Sequence, residues 1–562
     1  MKLNYKRTIL VGFAFFLIMA FWQAYDTIIP KILTDKFGMS QSKSGIIMAL
    51  DNILAIVMLP VFGMLSDKTK SRLGRRTPYI LIGTIIAAVA FVGLSFVDNA
   101  QAKSLQQVEK FETVLFDSNY EGLKRQDSQT ANEALELVYN AAAAKEITTA
   151  NGTVFMIDPQ GERPENTISY EEYAALDKHD HASGKIVVIE KDQFFNIESY
   201  FDHDNNDQPS KLYSDFYVPA RQVYSHSVTN THTGTLITFI IVLLVVLIAM
   251  SIFRSPAVAL MPDVTIKPLR SKANAVINLM GSAGGILVLA LGIFFKTGSA
   301  KNNMMSYTPF FAVVAGIMLV ALLIFMLTVR EPKFVDEAEL QRRKYNIDES
   351  DGDAETGDRK LSSGEKRSLI LLLASVALWF MGYNAVTSKY SVYADKVLAL
   401  DYNMTLIIAQ AAAIISYIPV GLVASKIGRK KTILAGIIML ATAFGVAAFL
   451  RKGSNPIIMN AMFALAGIAW ATINVNSFPM VVELSKGGNV GKFTGYYYTA
   501  SMAAQVITPY LSGLLMDKTG LTSLFPYATA FVIIAFATMI FVMHGDSKPE
   551  APKGIEAIGA DD

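Results

Sequence analysis

Long apolar runs alternate with short charged ones through most of this 562-residue chain. Twelve of them reach the roughly 20 residues needed to cross a hydrocarbon core of about 30 Å. They centre near residues 20, 55, 87, 245, 283, 318, 380, 413, 441, 467, 503 and 532. Each run is continuous rather than alternating, which predicts helices that satisfy their own backbone hydrogen bonds and not barrel strands. Six precede the charged stretch 330–367 and six follow it. The expected fold is an all-α polytopic membrane protein of twelve transmembrane helices in two six-helix bundles. The first run, Thr8 to about Leu33, is too long for a signal-peptide core and lacks a small-residue cleavage site, so it is expected to stay as the first helix.

Polar stretches divide the chain further. The expected parts are helices one to three (1–97), an insert (98–233), helices four to six (234–330), a linker (331–367), the second bundle (368–545) and a tail (546–562). The insert carries 23 acidic and 11 basic residues, a net of −12 inside a chain whose total is +2. An Ala-rich helical segment (131–144) and two apolar β-like runs (154–157 and 186–189) predict a small folded domain there. The linker is rich in charge and poor in large apolar residues, so it is expected to be a mobile tether.

Composition agrees with the periodicity: 52% of residues are apolar and 17% charged. No cysteine is present, which excludes disulfides and thiolate metal sites, and the six histidines form no metal-binding pair. DHDNND at 202–207 has the look of a calcium loop, but its sixth place holds no glycine and Tyr213 fills the twelfth, so a solvated acidic turn is the better reading. Neither a metal nor any cofactor is expected.

Basic residues set the orientation. Lys2, Lys6 and Arg7, the 68–76 loop, Lys267, Arg270 and Lys272, and the 426–431 loop fall on one side, which the positive-inside rule makes cytoplasmic. Both termini and the linker share that side, the insert lies outside, and a multi-pass protein of the cell membrane results. One of those loops is written twice. GMLSDKTKSRLGRRTP places Gly63, Asp67, Lys68, Arg72, Gly74, Arg75 and Arg76 between helices two and three. GLVASKIGRKK repeats the pattern with Gly421, Gly428 and Arg429 between helices eight and nine, where Ser425 stands in place of the acid. Gly63 allows close helix approach, and Asp67 can accept from Arg75 or Arg76, forming a conformational latch. Without an acid the second copy is expected to be the weaker latch. The plainer reading gives these cations a topogenic role only.

Ionisable and polar residues within spans are costly, and so point to function. Trp22, Tyr25 and Asp26 stand at i, i+3 and i+4 of helix one, on one face. A ring beside a carboxylate suits a sugar, stacking on its C–H surface while the acid accepts hydroxyls. Helix two adds Asp51 and Asn52, helix four Arg254, and helix seven Trp379, Tyr383, Asn384 and Lys389. Helix ten pairs Trp470 with Asn474; Asn274, Asn278, Gln410 and Gln505 are further candidates. For each amide the alternative is interhelical glue worth about 1 kcal/mol. For Asp26 and Asp51 it is an ion pair with Arg254 or Lys389. Even that serves coupling, because a carboxylate alternating between protonated and ion-paired states is what proton transport requires.

The doubled loop in a two-times-six arrangement resembles the major facilitator superfamily. The lengthened first copy, SDKTKSRLGRRTP, and the stretch from Ser255 to Gly285 are similar to the cation-coupled sugar symporters, the glycoside–pentoside–hexuronide group and the sucrose carriers. The resemblance covers both membrane halves and not the insert. It implies alternating access about a midplane site. In the melibiose-type permeases it implies paired acids one and five residues before the helix-two proline, where this chain has Leu59 and Ala55 before Pro60. The family's helix-four acid is replaced by Arg254 before Pro256. Sodium coupling by that route is thus not expected.

The expectation is a non-enzymatic, proton-coupled sugar (glycoside or disaccharide) importer, working as a monomer in the lipid bilayer without nucleic acid. Asp51, Asp26 and Arg254 would couple the cation. Trp22, Tyr25, Asp26, Asn278, Trp379, Tyr383, Asn384, Lys389, Trp470 and Asn474 would bind substrate. A drug/proton antiporter fits less well because 277–296 has Gly281, Gly284 and Gly285 but no proline. A transporter-like sensor reading ligand through its outer domain is the other alternative.

Overall fold

The computed structural model describes residues 3–117, 120, 128–159, 163–176, 184–203, 208–266, 269–345, 361–484 and 490–546. Ten helices among them are long and apolar enough to cross a membrane. In the first half these are α1 (Tyr5–Lys31), the pair α2 (Gln41–Met48) and α3 (Leu50–Lys68), and α4 (Thr77–Lys103). After the insert helices α5 (Gln106–Asp117), α6 (Ser128–Ala142) and α7 (Val218–Thr231) come α8 (Thr233–Val264), α9 (Arg270–Phe294) and α10 (Thr308–Thr328). A helix α11 (Glu331–Lys344) leads into the second half. That half holds α12 (Ser363–Tyr393), α13 (Tyr402–Ile427), α14 (Arg429–Ala447), α15 (Pro456–Glu483), α16 (Val490–Thr519) and α17 (Leu524–Ile540), of which α13 and α16 are not among the ten.

Side chains at the ends explain several starts. The Asn4 side chain accepts from Arg7 N at 3.2 Å, and Ser362 with Glu365 forms a reciprocal capping box before α12. Each half has its own apolar core, one around Phe21, Phe91, Phe253 and Phe311, the other around Trp379, Tyr393, Phe444 and Phe525. The halves meet along α1 with α12, α9 with α13, and α2 with α16. The last contact needs glycine on both sides, because a side chain at Gly45 would run into the Pro509 carbonyl and one at Gly513 into the Gln41 backbone.

One expectation needs correction. The linker does not start as a mobile tether, since its first part is α11. Pro332 and Glu331 open that helix, Arg342, Arg343 and Lys344 close it, and Phe334 and Val335 pack on the first-half core. Residues 346–360 lie outside the described part. The spans are helical as expected, and the two β-like runs of the insert form strands. The insert adds a four-stranded sheet ordered β1 (Ile147–Thr148), β2 (Val154–Ile157), β4 (Ile186–Ile189), β3 (Thr167–Ser169), parallel except at β1/β2. It closes over Phe111, Leu135, Phe155, Tyr200 and Phe216. Of the DHDNND turn, 204–207 lie outside the described residues.

The insert end is where the two halves are tied. Both α1 and α12 finish in a π-helical turn, Ile32–Lys36 and Ala394–Leu398, and each turn carries an Asp-Lys pair. The pairs cross between halves: Asp35 meets Lys396 Nζ at 2.7 Å, and Asp395 meets Lys31 Nζ, one turn earlier, at 3.5 Å. The insert joins the cluster through Arg221, which reaches Asp35 at 3.3 Å and Glu112 at 3.0 Å, all of it buried. Near it, Lys389 Nζ donates to the Gln41 carbonyl at 2.7 Å, and Asp517 accepts from the N–H groups of Gln41 and Ser42 at 2.6 and 2.9 Å.

Burial pushes the Glu112 carboxyl up to about 7, although Arg221 beside it pulls the other way. An acid with a native pKa above its unfolded value favours the native state fully below about pH 4.3, and that contribution is lost as pH rises through about 7. Glu112→Gln keeps the protonated shape. Between pH 5 and 8 the purified wild type should therefore lose melting temperature relative to this variant; a constant difference across that range contradicts the assignment.

Candidate functional site

Midway down the interface a cavity of about 230 Å³ opens between the halves. Trp22 and Asp26 enter it from α1, Asp51 and Asn52 from the first turn of α3, and Arg254 from α8. From the second half come Asn384, Thr387 and Ser388 on α12 and Gln505 on α16. The Arg254 guanidinium sits 5.6 Å from the centre of the Trp22 ring. It also interacts electrostatically with both Asp26 and Asp51. Asn52 Nδ2 donates to Asp51 Oδ1 at 2.8 Å. Two carboxylates thus share one guanidinium beside an aromatic face.

Other expected residues stand elsewhere. Tyr25 is fully buried, packed edge-on against Trp22 at 5.3 Å and over Phe21, so it supports the Trp22 ring from behind. Trp379 lies in the second-half core. Tyr383 and Trp470 stack at 3.6 Å with planes 6° apart and, like Asn278 and Asn474, do not line the cavity. Lys389 serves the inter-half bond to Gln41 instead. Gln410 donates to Gln23 at 2.6 Å across the interface, the glue role of a buried amide. Thr387 and Ser388 were not expected, yet they sit one turn beyond Asn384 on the same helix face, a spacing visible in the sequence.

The doubled loop forms charge clusters inside each half. Asp67 pairs with Arg76, and Asp263 at the end of α8 binds Arg75 at 2.6 Å and Arg76 at 2.8 Å. Glu331 accepts from the N–H groups of Arg75, Arg76 and Thr77 and so caps α4. Gly74 takes φ +108 beside that carboxylate. Lys68 and Arg72 are exposed outside the cluster. The second copy reproduces this with different acids. Arg429 pairs with Glu483 at the end of α15, and Asp546 accepts from Lys430 N at 3.0 Å at the start of α14, next to Gly428 at φ +92. The acids of the second copy come from later in the chain, not from position 425, and among the described residues its ionic contacts are fewer than those of the first. Gly421 is buried behind it in α13.

Residues 13–527 match the MFS_1 like family. The chain belongs to the major facilitator superfamily. A curated relative, the MFS-type transporter ppzB of Metarhizium rileyi, is 23% identical over 144 residues, 25% of this chain and 29% of that protein's length. Two solved structures share the fold. The xylose transporter XylE from E. coli, in an inward open conformation, aligns over 97% of this chain and 98% of its own at 14% identity and TM-score 0.50. A bacterial homologue of the iron transporter ferroportin, in an inward-facing state, aligns over 96% and 99% at 11% identity and TM-score 0.51. This facilitator therefore shares its frame with carriers of unlike cargo, and the frame leaves the cargo open.

Glu331→Ala removes the acceptor for three N–H groups at the start of α4. Hydrogen exchange at the amides of Arg75, Arg76 and Thr77 should speed up by about 5- to 30-fold, the ~1–2 kcal/mol of a lost cap. Unchanged exchange contradicts the capping role.

Proposed function

We propose that this facilitator is a proton-coupled sugar importer working by alternating access, with its loops cytoplasmic and its insert outside. The observation that carries this reading is the convergence of Trp22, Asp26, Asp51 and Arg254 on one cavity at the interface of the halves. Trp22 offers an apolar face for a sugar ring, Asp26 accepts hydroxyls, and Asn384, Thr387 and Ser388 supply the opposite wall. Asp51 carries the proton. When it is protonated, Arg254 answers Asp26 alone; when it is ionised, the two acids compete for one cation, and the balance of charge between the halves shifts. The cavity is small for a drug-sized ligand, and a single sugar ring matches it better than a disaccharide. Leu59 and Ala55 leave helix two without the acids of a sodium site, which favours the proton.

In proteoliposomes, adding a transported sugar outside should alkalinise the medium as protons enter with it. Asp51→Asn should abolish that signal and retain sugar counterflow. Alkalinisation that survives in Asp51→Asn contradicts the coupling role. Acidification in the wild type would mark an antiporter, and absent counterflow a sensor.

A further inference from the structure

A second and larger cavity, of about 840 Å³, lies between the insert and the tied ends of both halves. It shares no lining residue with the cavity around Trp22 and Arg254. Its floor is the seal itself: Gln41, Asp395, Lys396 and Asp517, the residues whose bonds join the halves, all face it. The insert supplies a wall through Asn151, Tyr173 and Asp215. Lys296 and Ser299 close it from the first half, Asp401 and Lys452 from the second.

The size falls within the range of small-molecule sites, and the chemistry of the lining selects among ligands. Five acidic residues and five basic ones face the cavity, so it offers no net charge to an ion. Most of those charges are already committed. Lys396 holds Asp35, and Asp517 holds the Gln41 and Ser42 amides. Lys211 donates to the carbonyls of Ala174 and Leu176, and Asp401 caps α13 through Asn403 N. Of the rest, Asp395 answers Lys31, and Asp202, Lys296 and Lys452 are exposed at the rim; the buried groups left over are neutral. The Gln41 side-chain oxygen is buried in a residue only 7% exposed and has no hydrogen-bond partner among the described residues, a costly state that a donor hydroxyl would relieve. The same lining carries amide and hydroxyl groups and the rings of Phe116, Tyr173 and Tyr213. Hydroxyl donors on a ring with an apolar C–H face satisfy both sets of groups.

We propose that this cavity is a second, regulatory binding site for a neutral polyhydroxylated solute, a saccharide, that holds the insert end shut. The ligand touches the insert and both halves at once, and that triple contact exists only while the halves are together at this end. A ligand that prefers one conformation shifts the population toward it by its difference in affinity. Bound there, the solute is a brake on opening. The saccharide class follows from this cavity's own lining; the brake rests on the proposed transport function.

The test is calorimetric titration of the purified full-length protein with xylose, glucose, maltose and trehalose, using Asp26→Asn to disable the central cavity. Ser299→Trp and Lys452→Trp fill the outer one from opposite halves, and neither removes a side-chain hydrogen bond or ion pair seen in the structure. At least one sugar should bind Asp26→Asn, and its affinity should fall tenfold or more when either tryptophan is added. In Asp26→Asn that sugar should also slow hydrogen exchange at Gln41 and Ser42, whose N–H groups cross the seal. If sugar binding vanishes in Asp26→Asn yet persists in both tryptophan variants, the outer site is overturned and the central reading stands. Should binding be insensitive to Asp26→Asn but lost in the tryptophan variants, the central reading fails and the outer site stands. Unaltered exchange at Gln41 and Ser42 in the sugar-bound protein overturns the brake.

Discussion

Asp35 is a fully buried carboxylate at the meeting point of three bodies, and the closed end of the molecule is organised around its need for partners. Arg221 reaches it from the insert and Lys396 from the second half, while Glu112 answers the remaining charge on Arg221. Buried ion pairs add little stability over apolar packing, yet removing one partner costs on the order of 3–5 kcal/mol because a charge is stranded. Such a cluster is poor glue and a good switch. It is satisfied only when insert, first half and second half sit together, and a cost of that size is enough to reverse a conformational equilibrium of a few kcal/mol. The seal at Gln41, the outer cavity and the insert's hold on the bundles all lie within its reach.

The chain repeats itself twice, once at each end. At the loop end, Arg75 and Arg76 meet Asp263 and Glu331, and Arg429 and Lys430 meet Glu483 and Asp546. In each half, then, an acid at the end of the fourth helix and one after the sixth hold the loop between the second and third. These clusters stiffen each half as a body. At the insert end the duplicated Asp-Lys turns cross from one half to the other. One set of charges makes each bundle rigid and the other joins the two bundles. The proposed alternating access needs both, since a rigid body has to move against a breakable contact.

How much of this the sequence shows depends on the range of the signal. Apolar runs are local and continuous, so the positions of the helices were legible, as were the insert strands at Val154–Ile157 and Ile186–Ile189. Trp22, Asp26, Asp51, Arg254 and Asn384 could be singled out because polar groups inside a span stand out singly. Tyr25 and Trp379 could not be told from site residues, because an aromatic ring at helical spacing serves a core equally well. Asp67 was legible as a partner of Arg76, but Asp263 and Glu331 were missed since they sit at helix ends, where charge is ordinary. The Asp-Lys repeat was hidden for the same reason: both copies close apolar runs, and only the crossing of the bundles brings Asp35 to Lys396.

Because the chain contains no cysteine, a labelled pair can be introduced without competing thiols. Spin labels at 299 and 452, on opposite halves around the outer cavity, report the separation of the insert ends by pulsed electron–electron resonance. With Asp35 intact, one short distance should dominate. Asp35→Asn leaves Arg221 and Lys396 facing each other without their acid and should bring a longer distance to a large share of the population; an unchanged distribution would contradict the claim that this carboxylate holds the end shut.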